Sequence, residues 1–75
     1  MERDTHDGAR IRVNGNEQPL RAARLGELLA QLDIRIDARG VAVALNGAVV
    51  PRSEWEAQRL SAGDDVEIVG AVQGG

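Results

Sequence analysis

Apolar and polar residues change their spacing several times along this chain, and each change marks an element. Ile11 and Val13 alternate with Arg10 and Arg12, the two-residue period of a strand with one buried face. Asn14-Gly15 follows, a pair suited to the positive φ angles of a two-residue hairpin. The returning segment, Glu17 to Arg21, contains Pro19. Proline brings no N–H to a ladder, so this strand belongs at an edge or carries a bulge. Leu25, Leu28, Leu29 and Leu32 then recur at the spacing of an amphipathic helix. Arg24 is a poor N-cap and Gly26 weakens the first turn, so the pattern leaves the helix start open by a turn.

Beyond the helix, "DIRIDARG" reads as a connection that ends on Gly40. Val41 to Leu45 is apolar at every position, which predicts a central strand covered on both faces. Val41, Val43 and Leu45 would face the helix, with Ala42 and Ala44 opposite. Asn46-Gly47 is a second hairpin signal, and Ala48 to Pro51 pairs back until the proline stops it. "SEWE" has the form of a capping box, with Ser53 as N-cap and Glu56 three residues later, so a short helix or turn starts there. Ala62-Gly63-Asp64-Asp65 is turn chemistry. Val66 to Val69 forms the last strand, with Val66 and Ile68 on one face and Glu67 and Val69 on the other.

The resulting order, β-β-α-β-β-turn-β, predicts an α+β fold: a mixed sheet of four to five strands with one main helix packed across it. A hairpin, a helix and strands returning beside the first describe a β-grasp. Residues 1–8 are charged and aperiodic and read as a disordered leader, 9–69 as the domain, and 70–75 as a flexible C-terminal tail.

Composition narrows the chemistry. A chain of 75 residues makes one domain and buries only roughly 60% of its unfolded surface. There is no cysteine, which excludes disulfides, thiolate zinc sites and iron–sulfur clusters. A net charge of −3 and a single aromatic residue, Trp55, argue against nucleic acid as the main partner. No apolar run is long enough to span a bilayer and the N-terminus is polar, so no membrane partner and a cytoplasmic location are expected. All nine basic residues are arginines, so no side-chain amine is present to form a Schiff base or accept an isopeptide bond.

Candidate catalytic groups have simpler readings. His6 lies in the leader with no partner group nearby. Asp64 and Asp65 beside Gly63 are turn formers, Ser53 is a cap, and Trp55 is a core residue. No glycine-rich phosphate loop joins a strand to a helix, and no metal cluster is evident. The remaining unusual feature is the end, "AVQGG". A terminal carboxylate, with a pKa of about 3.5, is anionic and a poor electrophile at neutral pH. Activation requires a partner's active site, and two glycines let a backbone pass through a narrow channel. Val69, pointing away from the core, and Val72, in the tail, are the candidate partner contacts.

A β-grasp ending in Gly-Gly is shared by ubiquitin-like proteins and bacterial sulfur carriers. "VALNGAVVPRSEW", Val43 to Trp55, and "DDVEIVGAVQGG", Asp64 to Gly75, resemble the ThiS family of thiamin-biosynthesis sulfur carriers. With the leucine helix the likeness runs over residues 9–75; the leader is extra, and Arg24 stands where a small capping residue is expected. The resemblance implies that a ThiF-type adenylyltransferase, using ATP and magnesium, adenylates the Gly75 carboxylate. Sulfur from a cysteine-desulfurase relay then displaces AMP to give a thiocarboxylate, and a ThiG-type thiazole synthase takes that sulfur. Gly75 is the modified residue and Gly74 its slender approach. On this reading the chain is a protein co-substrate, not an enzyme, and binds no cofactor or metal of its own. Three alternatives stay open: the sulfur carrier of molybdopterin synthase, which "PRSEW" disfavours; a ubiquitin-like protein modifier; and a plain interaction domain with an incidental tail.

Overall fold

The computed structural model describes residues 8–70. His6 and the rest of the expected leader up to residue 7 lie outside them, as do Val72, Gly74 and Gly75.

Strands β1 (Arg10–Val13) and β2 (Asn16–Pro19) form the first hairpin, with Ile11 opposite Gln18 and Val13 opposite Asn16. Asn14 and Gly15 both have positive φ, 52° and 84°, the geometry that matches the natural twist of a hairpin. The chain then runs through helix α1 (Leu25–Gln31) into β3 (Val41–Leu45) and β4 (Ala48–Val49). Asn46 and Gly47 make the same kind of turn, at 53° and 87°. A 3-10 helix at Arg52–Glu54 leads to β5 (Asp65–Gly70). The sheet has five strands in the order β2-β1-β5-β3-β4. Pro19 is therefore on an edge strand, where its missing N–H leaves no gap in the ladder. The last strand is the central one, parallel to β1 and antiparallel to β3.

The start of α1 is held from outside the helix. Arg24 occupies the N-cap with extended backbone and no side-chain cap bond. The Leu25 N–H instead donates to the Gln58 carbonyl at 2.7 Å, and the Glu27 carboxylate accepts the Ala23 N–H at 2.8 Å. Gly26 is not simply a weak helix former here. A Cβ at this position would stand 3.0 Å from the Glu56 Cα, so glycine lets the first turn lie against the 55–58 segment. The helix ends in a Schellman motif: Asp33 adopts φ 67°, its N–H donates to Ala30, and Ile34 N–H donates to Leu29. Leu32, expected as the fourth buried leucine, is the C-cap and is 39% exposed. Chain reversal at Asp33 turns it off the buried stripe, and half-buried Ile34 packs against the core instead.

The core lies between α1 and one face of the sheet. Leu25, Leu28 and Leu29 from the helix meet Ile11, Val13, Val43 and Val66 from the strands. Trp55 closes one end at 1% exposure, and its indole N–H donates to the Val50 carbonyl at 2.9 Å. Two expectations need correction. β3 is an interior strand, paired with β5 on one edge and β4 on the other, but it is not covered on both faces: Ala42 is exposed. A single helix covers only one side of the sheet, and the small alanines leave β3 a continuous apolar run without a second buried face. Ser53 does not cap a helix. It sits inside the 3-10 helix, whose N-cap is Pro51, and no side-chain cap bond forms there. Pro51, with φ fixed at −59°, caps the turn two residues earlier, and its carbonyl accepts the Glu54 N–H.

Leu29, with no exposed surface, lies at the centre of this core. Leu29→Ala is expected to lower unfolding free energy by about 2–5 kcal/mol in urea titration. A change below about 0.5 kcal/mol, the level of a surface substitution, would contradict the packing described.

Candidate functional site

The site is built around β5, because its last residue, Gly70, is where the described chain leaves the sheet. Val66 and Ile68 point into the core, and Glu67 and Val69 point to the open face, as their alternation predicts. Gly70 pairs with Val41, and a Cβ on it would meet Val41 Cγ2 at 3.1 Å and the Gly40 carbonyl at 3.3 Å. A side chain at this position would need Val41 or the Gly40 carbonyl to give way by a few tenths of an ångström.

Register assembles the open face around Val69. Ala42 is directly opposite it, Ala44 is opposite both Glu67 and Val49, and Val49 is on the same face. Val69 is 67% exposed and Val49 is 74% exposed. The two alanines form a shallow floor between these valines. Across β5 the face becomes charged: Arg12 lies opposite Asp65, and Arg10 approaches Glu17 at 3.8 Å. One half is apolar and uncovered among the described residues; the other is a mixed-charge rim. Of the site residues expected from sequence, Val69 is placed here, while Val72, Gly74 and Gly75 fall outside the described residues.

Side chains that could suggest catalysis are occupied structurally. Asp64 accepts the Ser61 N–H at 2.8 Å and the Asn46 side-chain N–H at 3.0 Å. The Asp65 N–H donates to Asn46 Oδ1 at 2.9 Å, so this cluster ties the second hairpin to the start of β5. Arg35 and Asp37 form a two-point ion pair, at 2.9 and 3.1 Å, beside the groove along α1. The Arg35 hydrogen bond and charge hold the Asp37 carboxyl below its ordinary value, so it stays ionised and has no proton to donate near neutrality. No group of three metal-ligating side chains occurs among the described residues. Nor is any helix among them long and apolar enough to cross a membrane.

Asn14 has a second role that the hairpin signal does not reveal. β1 stops pairing with β5 at Val13, opposite Val66. The next inward-facing donor on that edge, the Ile68 N–H, is accepted by Asn14 Oδ1 at 2.7 Å, and the Asn14 N–H donates to the Val66 carbonyl at 2.8 Å. The side chain thus continues the ladder beyond the end of β1. Its partner lies 54 residues away, so no local pattern could have shown it.

This arrangement, one helix across a five-stranded mixed sheet whose central strand is last in the chain, defines the ubiquitin-like β-grasp class. The ThiS family model matches residues 9–75, and the chain belongs to that family. It is similar to the crystal structure of a thiamine biosynthesis protein (ThiS) from Geobacter metallireducens. The two share 33% sequence identity over 88% of this chain and 99% of that one, with a TM-score of 0.69. No curated protein matches the chain.

Asn14→Gly keeps the turn's positive φ but removes the acceptor for Ile68. It is expected to cost about 1–3 kcal/mol in urea unfolding and to speed amide exchange at Ile68. Unchanged exchange at that amide would refute the ladder-extending role.

Proposed function

We propose that this chain is a sulfur carrier of thiamin biosynthesis, with the Gly75 carboxylate as the group that is activated and loaded. The observation that carries this reading is the family match, which takes in both the folded body and Gly74-Gly75. The described body supports it by placing an exposed apolar patch, Val69 and Val49, on and beside the central strand that leads toward the C-terminal segment. In this reading an adenylating partner of the ThiF type transfers AMP from ATP, with magnesium, to the Gly75 carboxylate and releases pyrophosphate. A sulfur nucleophile from a cysteine-desulfurase relay displaces AMP, and the resulting thiocarboxylate passes sulfur to a thiazole synthase. The partner supplies the nucleotide and metal site; the carrier contributes an acyl group on a slender stalk and a surface to dock.

Val69, Ala42, Ala44 and Val49 form that docking surface, with Val72 as a further contact on the segment leading to Gly75. A few desolvated apolar anchors dominate such interfaces. Val69→Asp is expected to weaken binding to the adenylating enzyme at least roughly fivefold by calorimetry, while its unfolding free energy changes by no more than about 1 kcal/mol. Unchanged affinity would remove Val69 from the interface.

The chemistry is tested with the adenylating enzyme and a sulfur source, reading intact mass for one oxygen replaced by sulfur. Gly74→Ala adds a Cβ and disfavours positive φ, so ATP–pyrophosphate exchange should fall sharply. Stability should stay within the roughly 0.5 kcal/mol of a surface change. Deletion of Gly75 should abolish thiocarboxylate formation. Full exchange by Gly74→Ala would overturn threading through a narrow channel; sulfur loading without Gly75 would overturn the carrier reading.

A further inference from the structure

All nine basic side chains are arginine and there is no cysteine, so the chain carries neither a side-chain amine nor a thiol. A guanidinium stays protonated and offers no lone pair to an acyl group. A lysine amine, with a pKa of about 10.4, is neutral often enough to attack one.

The placement of the arginines gives this composition a consequence. Gly70 is level with Val41 and packs against Gly40, so Arg39 stands beside the point where the chain leaves the sheet. Two residues from Val41, its Cα lies within about 13 Å of that of Gly70. Five residues extend at most about 18 Å, so the Gly75 carbonyl carbon can reach the exposed residue 39. Arg52 belongs to the same corner, donating to the Ile36 carbonyl at 2.6 Å and the Val41 carbonyl at 3.5 Å. Arg35 is next to Ile36, with its side chain 80% exposed. Arg39 and Arg52 are the cationic side chains tied to this corner, Arg35 is paired with Asp37 further along the same connection, and none of the three is a nucleophile.

We propose that this lysine-free, thiol-free surface is a chemical safeguard that keeps an activated Gly75 acyl group from acylating the carrier itself. The inference rests on the carrier reading above. In the acyl adenylate, AMP is a good leaving group on the Gly75 carbonyl carbon. A neutral lysine amine at position 39 would add to that carbon. A C–N bond would form, the C–O bond to AMP would break, and the amine's proton would pass to solvent. The product is an internal isopeptide, lighter by one water than the free carboxylate chain. Because donor and acceptor share one chain, the reaction would gain the large effective concentration of an intramolecular process. Arginine keeps the positive charge at the exit and removes that route.

The test incubates wild type, Arg39→Lys, Arg35→Lys and Arg39→Gln with the adenylating enzyme, ATP and magnesium, then reads intact mass. A parallel arm adds hydroxylamine to trap the activated acyl group as a hydroxamate. The expected result is hydroxamate on all four proteins, with the water-loss species on the lysine variants roughly tenfold or more above wild type and Arg39→Gln. Fragmentation should place the new bond between residue 75 and the introduced lysine. Trapped acyl groups without a water-loss species on either lysine variant would overturn the safeguard and leave the carrier reading standing. Equal water loss from Arg39→Gln would also overturn it, by assigning the effect to the lost guanidinium. No hydroxamate on wild type would remove the carrier reading, and the safeguard with it.

Discussion

The fold depends on the insertion of β5 between β1 and β3. Until the last strand arrives, both neighbours lack a hydrogen-bonding partner on their inner edges, and the helix has only a divided surface to pack against. β5 closes both ladders and brings Val66, which has no exposed surface, beneath α1. Pairing Arg12 with Asp65 joins residues from opposite ends of the chain, so much loop-closure entropy is spent before the contact forms. Such non-local pairing slows folding but makes it cooperative, since no half of this sheet is stable alone.

Polar side chains complete what the strands leave unpaired. Asn14 continues the short parallel ladder, Asn46 and Asp64 fasten the second hairpin to the start of β5, and Arg52 joins the 33–40 connection to β3. Arg52 also lies over the Trp55 ring at 4.3 Å, covering the core's one aromatic residue. These devices converge on β5 and its neighbour β3, the strands that fix where the chain leaves the sheet. In a small domain a few such bonds are a substantial fraction of the total stability.

With one helix, only one side of the sheet is covered. The other carries Val69, Ala42 and Val49 in the open, with half-buried Ala44 among them, beside a mixed-charge rim. In the sulfur-carrier reading this exposure is useful rather than merely tolerated: the body docks by its uncovered face and the reacting carboxylate lies beyond the central strand. The described side chains then need only stability, a surface and chemical inertness, which agrees with carboxylates and arginines engaged in loop and turn contacts.

The order of elements was legible in sequence because it follows from local signals: two Asn-Gly turns, a leucine stripe, and alternation that placed Val66 and Ile68 inside and Val69 outside. Pro19 also marked its strand as an edge. The Gly-Gly end and the "PRSEW" stretch pointed to the ThiS family. Decisions that depend on distant neighbours were not legible. β3 reads as covered on both faces because Ala42 and Ala44 are apolar, and only the packed structure shows which face has a covering layer. Leu32 fits the helical period, yet the reversal at Asp33 takes it off the core. Gly26 looks like a defect until Glu56 is seen 3.0 Å from where its Cβ would be. Asn14 reads as a turn residue until Ile68, 54 positions away, is found donating to it. Periodicity and turn chemistry are properties of neighbours in sequence; burial and hydrogen-bond satisfaction belong to neighbours in space, which only the assembled sheet defines.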